Sequence, residues 1–507
     1  PVECFLIAHP NITCGYVPNA ECKCPELPGA ADSYYGLTSD ARHMMGIYTR
    51  TGLSSNQITY TIDGGESWNL KLFSGPPASY AWNLYPVEHG RARRTFGGIS
   101  VGVYNNRSLG SKTDRSWSGK QSATFSVDSA GELQMKVTGG VTVGPLPWPV
   151  NNTNGIRGMP FPPQFYGGPI RLHDGSLLGT IGVFWSKDDP LSPTDDGPEH
   201  RMSIVAIRSV DFYTWHFAGV VANASGPGGY PSTTFGPSEN DLALLEDGQT
   251  LVCVVRMDGD GNCDTQTYRY YSLFYSYDDG ASWSRAVNMT GAGCVWPRLL
   301  KLDSGPLIMS GARLCVENSS DVFIWVNADG MAGKSTGGPG NWTKYSVSYW
   351  HNKLWSGPTT ASKNGTNYSY LFDAKINSST SFESSGFTSL IPAGPNEFVL
   401  VYQKYLNPDV WPPFPQATFQ MKISMPPRHI VPAGPTSSHP PLWVWVVSGI
   451  AGCIIALIAY SMLRSKSALG QNEYYTLTRD ESVLNQSSPD PENGGAHLRQ
   501  EPKTRTI

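Results

Sequence analysis

One eight-residue pattern, S/T-x-D-x-G-x-S-W, recurs in this chain and constrains its fold more than any other feature. It is complete at Thr61–Trp68 and at Ser276–Trp283. A shortened copy runs from Ser209 to Trp215, and Asn327-Ala328-Asp329-Gly330 reads as a fourth, its tryptophan displaced to Trp342 by a Gly-rich insertion. The chemistry is that of a turn: Asp accepts bonds from turn amides, Gly takes positive φ, and Trp packs beside the following strand. The residues concerned are Asp63, Trp68, Asp211, Trp215, Asp278 and Trp283. Four other stretches read as apolar run, turn, apolar run: 168–185, 239–256, 294–315 and 386–403. Their turns fall near Asp174-Gly175, Asp247-Gly248, Ser304-Gly305 and Gly394-Pro395. Asp-Gly between apolar runs is a strong hairpin signal. Hairpin units repeated at periods of tens of residues argue for a propeller or array.

Composition agrees. Only 15% of the 507 residues are charged, against roughly 25% in ordinary soluble domains. The 54 Gly, 40 Pro and 11% aromatic residues exclude a coiled coil, which wants Ala, Glu, Lys and Leu. Disorder needs low hydrophobicity and high net charge, and the chain has neither. A net charge of -4 gives no electrostatic case for nucleic acid.

The ends of the chain set the expected context. Residues 442–463 are uncharged and largely apolar, long enough for one membrane helix of about 20 residues. Trp443, Trp445 and Tyr460 match interfacial anchors, and Arg464 and Lys466 place residues 464–507 in the cytoplasm as a disordered tail. Residues N-terminal to the span then face the outside or an organelle lumen. N-x-S/T sequons at Asn11, Asn106, Asn151, Asn223, Asn288, Asn318, Asn341, Asn364, Asn367 and Asn377, all on that side, suggest a glycosylated ectodomain. Eight of nine cysteines lie there too, as an oxidising compartment allows. The chain begins at Pro1, which reads as a processed or incomplete N-terminus. Tyr474-x-x-Leu477 matches a tyrosine sorting signal, with endocytic adaptors as the implied partners.

The repeated turns are Asp boxes, and through them the chain resembles the sialidase (neuraminidase) superfamily of β-propellers. The resemblance implies an all-β, six-bladed propeller over residues 35–425, after a Cys-rich segment at 1–34. A Pro-rich linker at 426–441, the span and the tail would follow. In the family the boxes lie on the outer edge, away from the catalytic face. Sialidases clamp the sialic acid carboxylate with three arginines, activate a tyrosine nucleophile with a glutamate and use an aspartate as acid/base. Sialylated glycans are the implied partners, and no cofactor or metal is expected.

Hairpin counting locates candidates. Around Asp247, Glu239 lies eight residues back and Arg256 nine forward, so both reach the same rim. Glu239 looks like the family's glutamate and Arg256 like an arginine that closes its hairpin. Arg313 or Arg298 would be the next arginine, and forked guanidinium groups suit carboxylates. The same count around Ser304 predicts a Cys294–Cys315 bridge, and Cys253–Cys263 by elimination. The first arginine has only Arg50 and Arg171 as substitutes, and no acid/base aspartate is located: Asp188, Asp189, Asp195 and Asp196 crowd one loop, and charged loops are usually solvated. Where the family carries Gly/Ala-Tyr-Ser/Thr, this chain has Gly386-Phe387-Thr388, with Tyr368 and Tyr370 as alternatives. Two expectations follow: a membrane-anchored sialidase-like glycoside hydrolase, or an inactive propeller that binds glycans or protein ligands.

Overall fold

The computed structural model describes residues 2–8, 31–32, 44–50, 55–62, 69–74, 82–86, 95–100, 117–148, 164–185 except 168, 202–223, 236–258, 270–290, 295–312, 322–334, 340–372 except 358, 364 and 365, 385–405 and 416–426. Contacts divide the chain into Pro1–Arg428 and His429–Ile507. The linker, the 442–463 run, Tyr474 and Leu477 lie outside the described residues. Among the described residues no helix is long and apolar enough to cross a membrane.

Among the described residues the first unit holds four four-stranded antiparallel sheets, a nine-stranded sheet that divides into two antiparallel meanders, and a two-stranded pair, Thr360–Lys363 with Thr366–Ser369. Sheet 1 runs Ala31–Asp32, Met44–Arg50, Ser55–Thr61, Asn69–Ser74; sheet 2 runs Trp82–Pro86, Thr95–Ser100, Trp117–Val127, Leu133–Val143. Sheet 3 opens with an interrupted strand (Gln164–Phe165 and Ile170–Arg171), then Leu177–Val183, Ser203–Ser209 and Thr214–Ala222. A short parallel contact, Thr214 and Trp215 on Thr142 and Val143, joins sheets 2 and 3. Sheet 4 comprises Gly236–Leu244, Leu251–Asp258, Tyr270–Ser276 and Ser284–Thr290; sheet 5 comprises Val295–Lys301, Leu307–Ala312, Phe323–Asn327 and Trp342–Ser346. Sheet 6 takes three strands from the C-terminal side, Ser385–Gly394, Glu397–Tyr405 and Gln416–Ser424, and its fourth from Val2–Ala8. The segment expected to stand apart as residues 1–34 therefore contributes an edge strand, with Cys4 opposite Met421. All four predicted hairpins form.

Both faces of the central sheets are buried. Along Leu251–Asp258 alternate residues serve two cores: Leu251, Cys253, Val255 and Met257 in one, Val252 and Val254 in the other. Period-two alternation splits one apolar run between two interfaces. This orientation corrects one expectation. Cys253 is a fully buried free thiol facing Asn240, so no Cys253–Cys263 bridge is made. Burial pushes its thiol pKa well up, and the charge on Asp241 adds to that. Cys263, Cys294 and Cys315 lie outside the described residues.

In a four-stranded meander the first–second and third–fourth turns share one end. Asp174-Gly175, Asp247-Gly248 and Ser304-Gly305 therefore lie at the same end as the Asp boxes at 209–215, 276–283 and 327–330. In the full box Asp278 accepts bonds from Ser276 Oγ (2.9 Å) and the Ser282 amide (2.8 Å), while Trp283 Nε1 donates to Gly280 O (2.9 Å). The shortened box repeats this: Asp211 accepts from Ser209 Oγ and the Tyr213 and Thr214 amides, and Trp215 Nε1 donates to Phe212 O. One residue fewer places Phe212 rather than Gly at positive φ (73°). The Asn327 turn is looser, since Asp329 holds only the Met331 amide among its described bonds. Asp63 and Trp68 lie outside the described residues, between Ser55–Thr61 and Asn69–Ser74 in the chain.

Sheet 2 carries a box that sequence reading missed. Asp128 holds the Ala130 and Glu132 amides at 2.9 Å each, and Gly131 takes φ 84°. Ser126-x-Asp128 has the required spacing, but buried Leu133 stands where Trp is diagnostic.

Each described box clasps the sheet before it. A Cβ on Gly131 would meet Ile62 at 2.8 Å, and Tyr213 O and Trp215 O accept from the Thr142 and Gly144 amides. The Gly280-Ala281 turn presses on Gly219, where any Cβ would lie 2.4 Å from Ala281 O. Gly330 O accepts from the Glu246 amide, and Tyr275 Oη donates to Ala332 O. The boxes are thus inter-sheet clasps as well as turns.

Candidate functional site

Glu239 opens sheet 4 and Arg256 lies near the end of its second strand, so both sit at the end opposite the boxes. Between the pairs Pro237–Met257 and Asn240–Val255, residues 238 and 239 face Arg256 alone. This is a bulge, a device that re-aims a side chain. Arg256 Nη1 donates to Glu239 Oε2 at 2.5 Å, with both side chains largely covered, and the Trp296 amide donates to the same oxygen at 2.8 Å. Hairpin counting alone brought these two residues to one rim, and the structure joins them.

The same register break recurs twice. In sheet 5, Trp296 and Pro297 face Gly311 between Val295–Ala312 and Arg298–Ser310. In sheet 6, Gly386 and Phe387 face Gln403 between Ser385–Lys404 and Thr388–Tyr402. Glu239, Pro297 and Phe387 are therefore equivalent, as are Asn240, Arg298 and Thr388. All three of the latter are buried. Asn240 Oδ1 accepts from Thr180 Oγ1 of sheet 3, and Thr388 shares a 2.8 Å bond with Ser310 of sheet 5.

That equivalence changes the reading of Arg298. Its guanidinium carbon lies 4.0 Å from the Trp296 ring centroid, beneath the rim. Burial lowers its pKa, and the charges of Asp241 and Glu239 oppose that. Arg298, one of the arginines expected to reach substrate, occupies the register position that Asn240 and Thr388 hold, close enough to Glu239 and Asp241 for their charges to act on it. Asp241 accepts from the Leu299 amide at 2.9 Å, and Trp296 Nε1 donates to Asn240 O at 3.1 Å. Three consecutive residues, Glu239 to Asp241, thus bind sheet 5. Neither Trp296 nor Asp241 was singled out by sequence reading, because the contact spans nearly 60 residues and no local pattern marks it.

The other candidates divide. Arg313 lies outside the described residues, one beyond Ala312. Arg50 ends the second strand of sheet 1, at the end corresponding to Arg256. Arg171 bonds Gly175 O at the box end, so it cannot serve this rim. Tyr370 is buried in an aromatic cluster with Trp355 and Phe419, and Tyr368 lies in a short strand, Thr366–Ser369. Asp188, Asp189, Asp195 and Asp196 lie outside the described residues. Of the sequons, Asn341 is exposed, while Asn223 and Asn288 accept bonds from Ser203 and Ser272. Asn367 lies in the 366–369 strand; Asn11, Asn106, Asn151, Asn318, Asn364 and Asn377 lie outside the described residues.

A second polar cluster was not anticipated. Helix α1 (Val347–Leu354) buries His351 completely. Its Nε2 lies 3.0 Å from Tyr370 O and its Nδ1 2.6 Å from Tyr402 Oη. A carbonyl only accepts, so Nε2 carries the proton and the phenol donates to Nδ1. Burial lowers the His351 pKa to about 3, and the nearby Lys404 charge adds to the fall despite the Tyr370 carbonyl.

No family profile matches the chain, and no curated protein sequence matches it. Among solved structures, it is similar to a protein of unknown function from Dyadobacter fermentans, at TM-score 0.47 and 12% identity over 84% of this chain and 99% of that one. It is also similar to the Trypanosoma rangeli sialidase, at TM-score 0.45 and 13% identity over 83% of this chain and 59% of that one. A third is the intramolecular trans-sialidase from Ruminococcus gnavus, at TM-score 0.38 and 12% identity over 77% and 94%. The neighbours thus include sialidases; likeness at this level leaves the chemistry to be argued from the side chains.

Proposed function

We propose that the chain is a membrane-anchored, six-bladed sialidase-like propeller, a glycoside hydrolase acting on the terminal sialic acid of glycoconjugates. Six meanders, closure of the last by the N-terminal strand, and Asp boxes at one end support the propeller reading. The observation that carries the function is Glu239 meeting Arg256 across a bulge at the opposite end. A carboxylate beside a guanidinium at the rim suits an anionic sugar: Arg256 offers N–H groups to the substrate carboxylate, and Glu239 offers a base. In this reading the 442–463 run holds the protein in a cell-surface or endolysosomal membrane, the sequons carry glycans, and Tyr474 and Leu477 engage endocytic adaptors.

Phe387 favours a second reading. It stands at the bulge position equivalent to Glu239, where the family resemblance implies a tyrosine, and a phenyl ring has no oxygen with which to attack. The rim would then bind sialylated glycans without cleaving them. Full-length protein assayed with a fluorogenic sialoside separates the two. Turnover that disappears in Glu239→Gln supports the hydrolase. Binding without turnover, weakened by Arg256→Ala, supports the receptor, and absence of both rejects the site.

A further inference from the structure

The stretch from Met331 to Phe372 contains no Asp or Glu, in a chain that has 41 of them, yet beyond Lys334, which pairs with Asp247 at the box end, it carries Lys344, Lys353 and Lys363. Inside it lie the outer strand of sheet 5 and helix α1, which continues from that strand at the end where Glu239 sits. Ser346 caps the helix through the Tyr349 amide, and Val347, Ser348 and His351 form its buried face. The other face is aromatic and basic. Tyr349 is 59% exposed and Trp350 36%, and Tyr345 on the preceding strand is 43% exposed. The Tyr349 and Trp350 rings meet edge to face at 5.4 Å, with Lys353 Nζ 4.8 Å from the Trp350 centroid.

Lysines on an outer strand guard against edge pairing, but exposed rings do not, and clustered exposed rings mark binding surfaces. Trp and Tyr stack on the apolar faces of sugars while an ammonium meets an anion. Among the described residues no exposed aliphatic side chain lies beside these rings to enter a bilayer. We infer that α1 and the strand before it form a docking surface for sialylated glycan chains, separate from the Glu239–Arg256 rim. Lys353 meets the sugar carboxylate, and Tyr349 and Trp350 carry the adjoining rings. The identity of the anion rests on the proposed function; the surface itself rests on charge complementarity.

The test is retention of the full-length protein on immobilised fetuin, a sialylated glycoprotein, and on its desialylated form, beside turnover of a small fluorogenic sialoside. Lys353→Glu is expected to weaken fetuin retention about tenfold, as one reversed contact worth ~1.4 kcal/mol would. Trp350→Ala is expected to weaken it about fivefold. Both should act on the small sialoside within about twofold of the parent, a difference of ~0.4 kcal/mol. Unchanged fetuin retention overturns the inference, and so does an equal loss on the desialylated form. Retention on phosphatidylcholine–phosphatidylserine vesicles that these changes abolish, with fetuin unaffected, overturns it in favour of lipid. If Lys353→Glu does not fold, Lys353→Gln decides by the same measurements. Absence of sialoside turnover in every protein rejects hydrolysis alone, because fetuin retention still reports the surface.

Discussion

The two ends of the sheets are joined by different chemistry. At the box end, the turns grip the sheet before them largely through backbone, amide to carbonyl or a tight turn on a bare Gly219. Side-chain links such as Tyr275 to Ala332 O and Lys334 to Asp247 are added. At the other end the links are side chains used once each, Glu239 to the Trp296 amide, Asp241 to the Leu299 amide and Thr180 to Asn240. Backbone clasps tolerate repetition because they depend on conformation rather than residue identity. Side-chain links demand particular residues, and so leave one end free to specialise. Bulges before Asn240, Arg298 and Thr388 lie at that end, and the first of them sets Glu239 against Arg256.

If this division is correct, damage at the box end costs stability and damage at the rim costs function. Trp215 is wholly buried and closes its box, so Trp215→Ala should destabilise by about 3–5 kcal/mol. Chemical denaturation measures this, and a loss of sialoside binding in the protein that remains folded would break the comparison. Glu239→Gln keeps a neutral acceptor for the Trp296 amide. It should lower turnover at least about hundredfold, ~2.7 kcal/mol, while the melting temperature moves little. A large fall in melting temperature would show that the rim is structural after all.

Acid acts on the rim side through His351. Neutral buried His351 has a folded pKa of about 3, below the 6.5 of the unfolded chain, so the unfolded state binds more protons between these values. Stability should therefore fall as pH drops below 6.5, by on the order of 1.4 kcal/mol per unit, levelling near pH 3. Denaturant midpoints across this range should flatten in His351→Phe. The box carboxylates act in a different window. Backbone amides, chiefly that of Thr214, lower the pKa of Asp211; at Asp278 desolvation works upward, but bonds from Ser282 and Ser276 win. Their stabilisation is present above 3.8 and is lost as pH falls through the lowered folded values. The smallest effect is Asp278→Ala, at about 1 kcal/mol by denaturation, with sialoside turnover unchanged.

Much of the architecture was legible because it is local. A turn states its needs within eight residues, so Asp211 and Asp278 declared themselves, and Asp-Gly pairs marked hairpins that brought Glu239 to Arg256. Asp128 escaped because its box lacks the tryptophan that makes the pattern recognisable. Cys253 misled: counting cysteines says nothing about which face of a strand each occupies.

The sequence by itself determined the hairpins, the turn chemistry and the pairing of Glu239 with Arg256, because each follows from spacing along one stretch of chain. Only the tertiary structure decided that Val2–Ala8 closes sheet 6, that Arg298 lies beneath Trp296 and that His351 is sealed among aromatic rings. Those outcomes depend on register and on contacts between distant segments, where one extra residue in a bulge changes what a side chain meets.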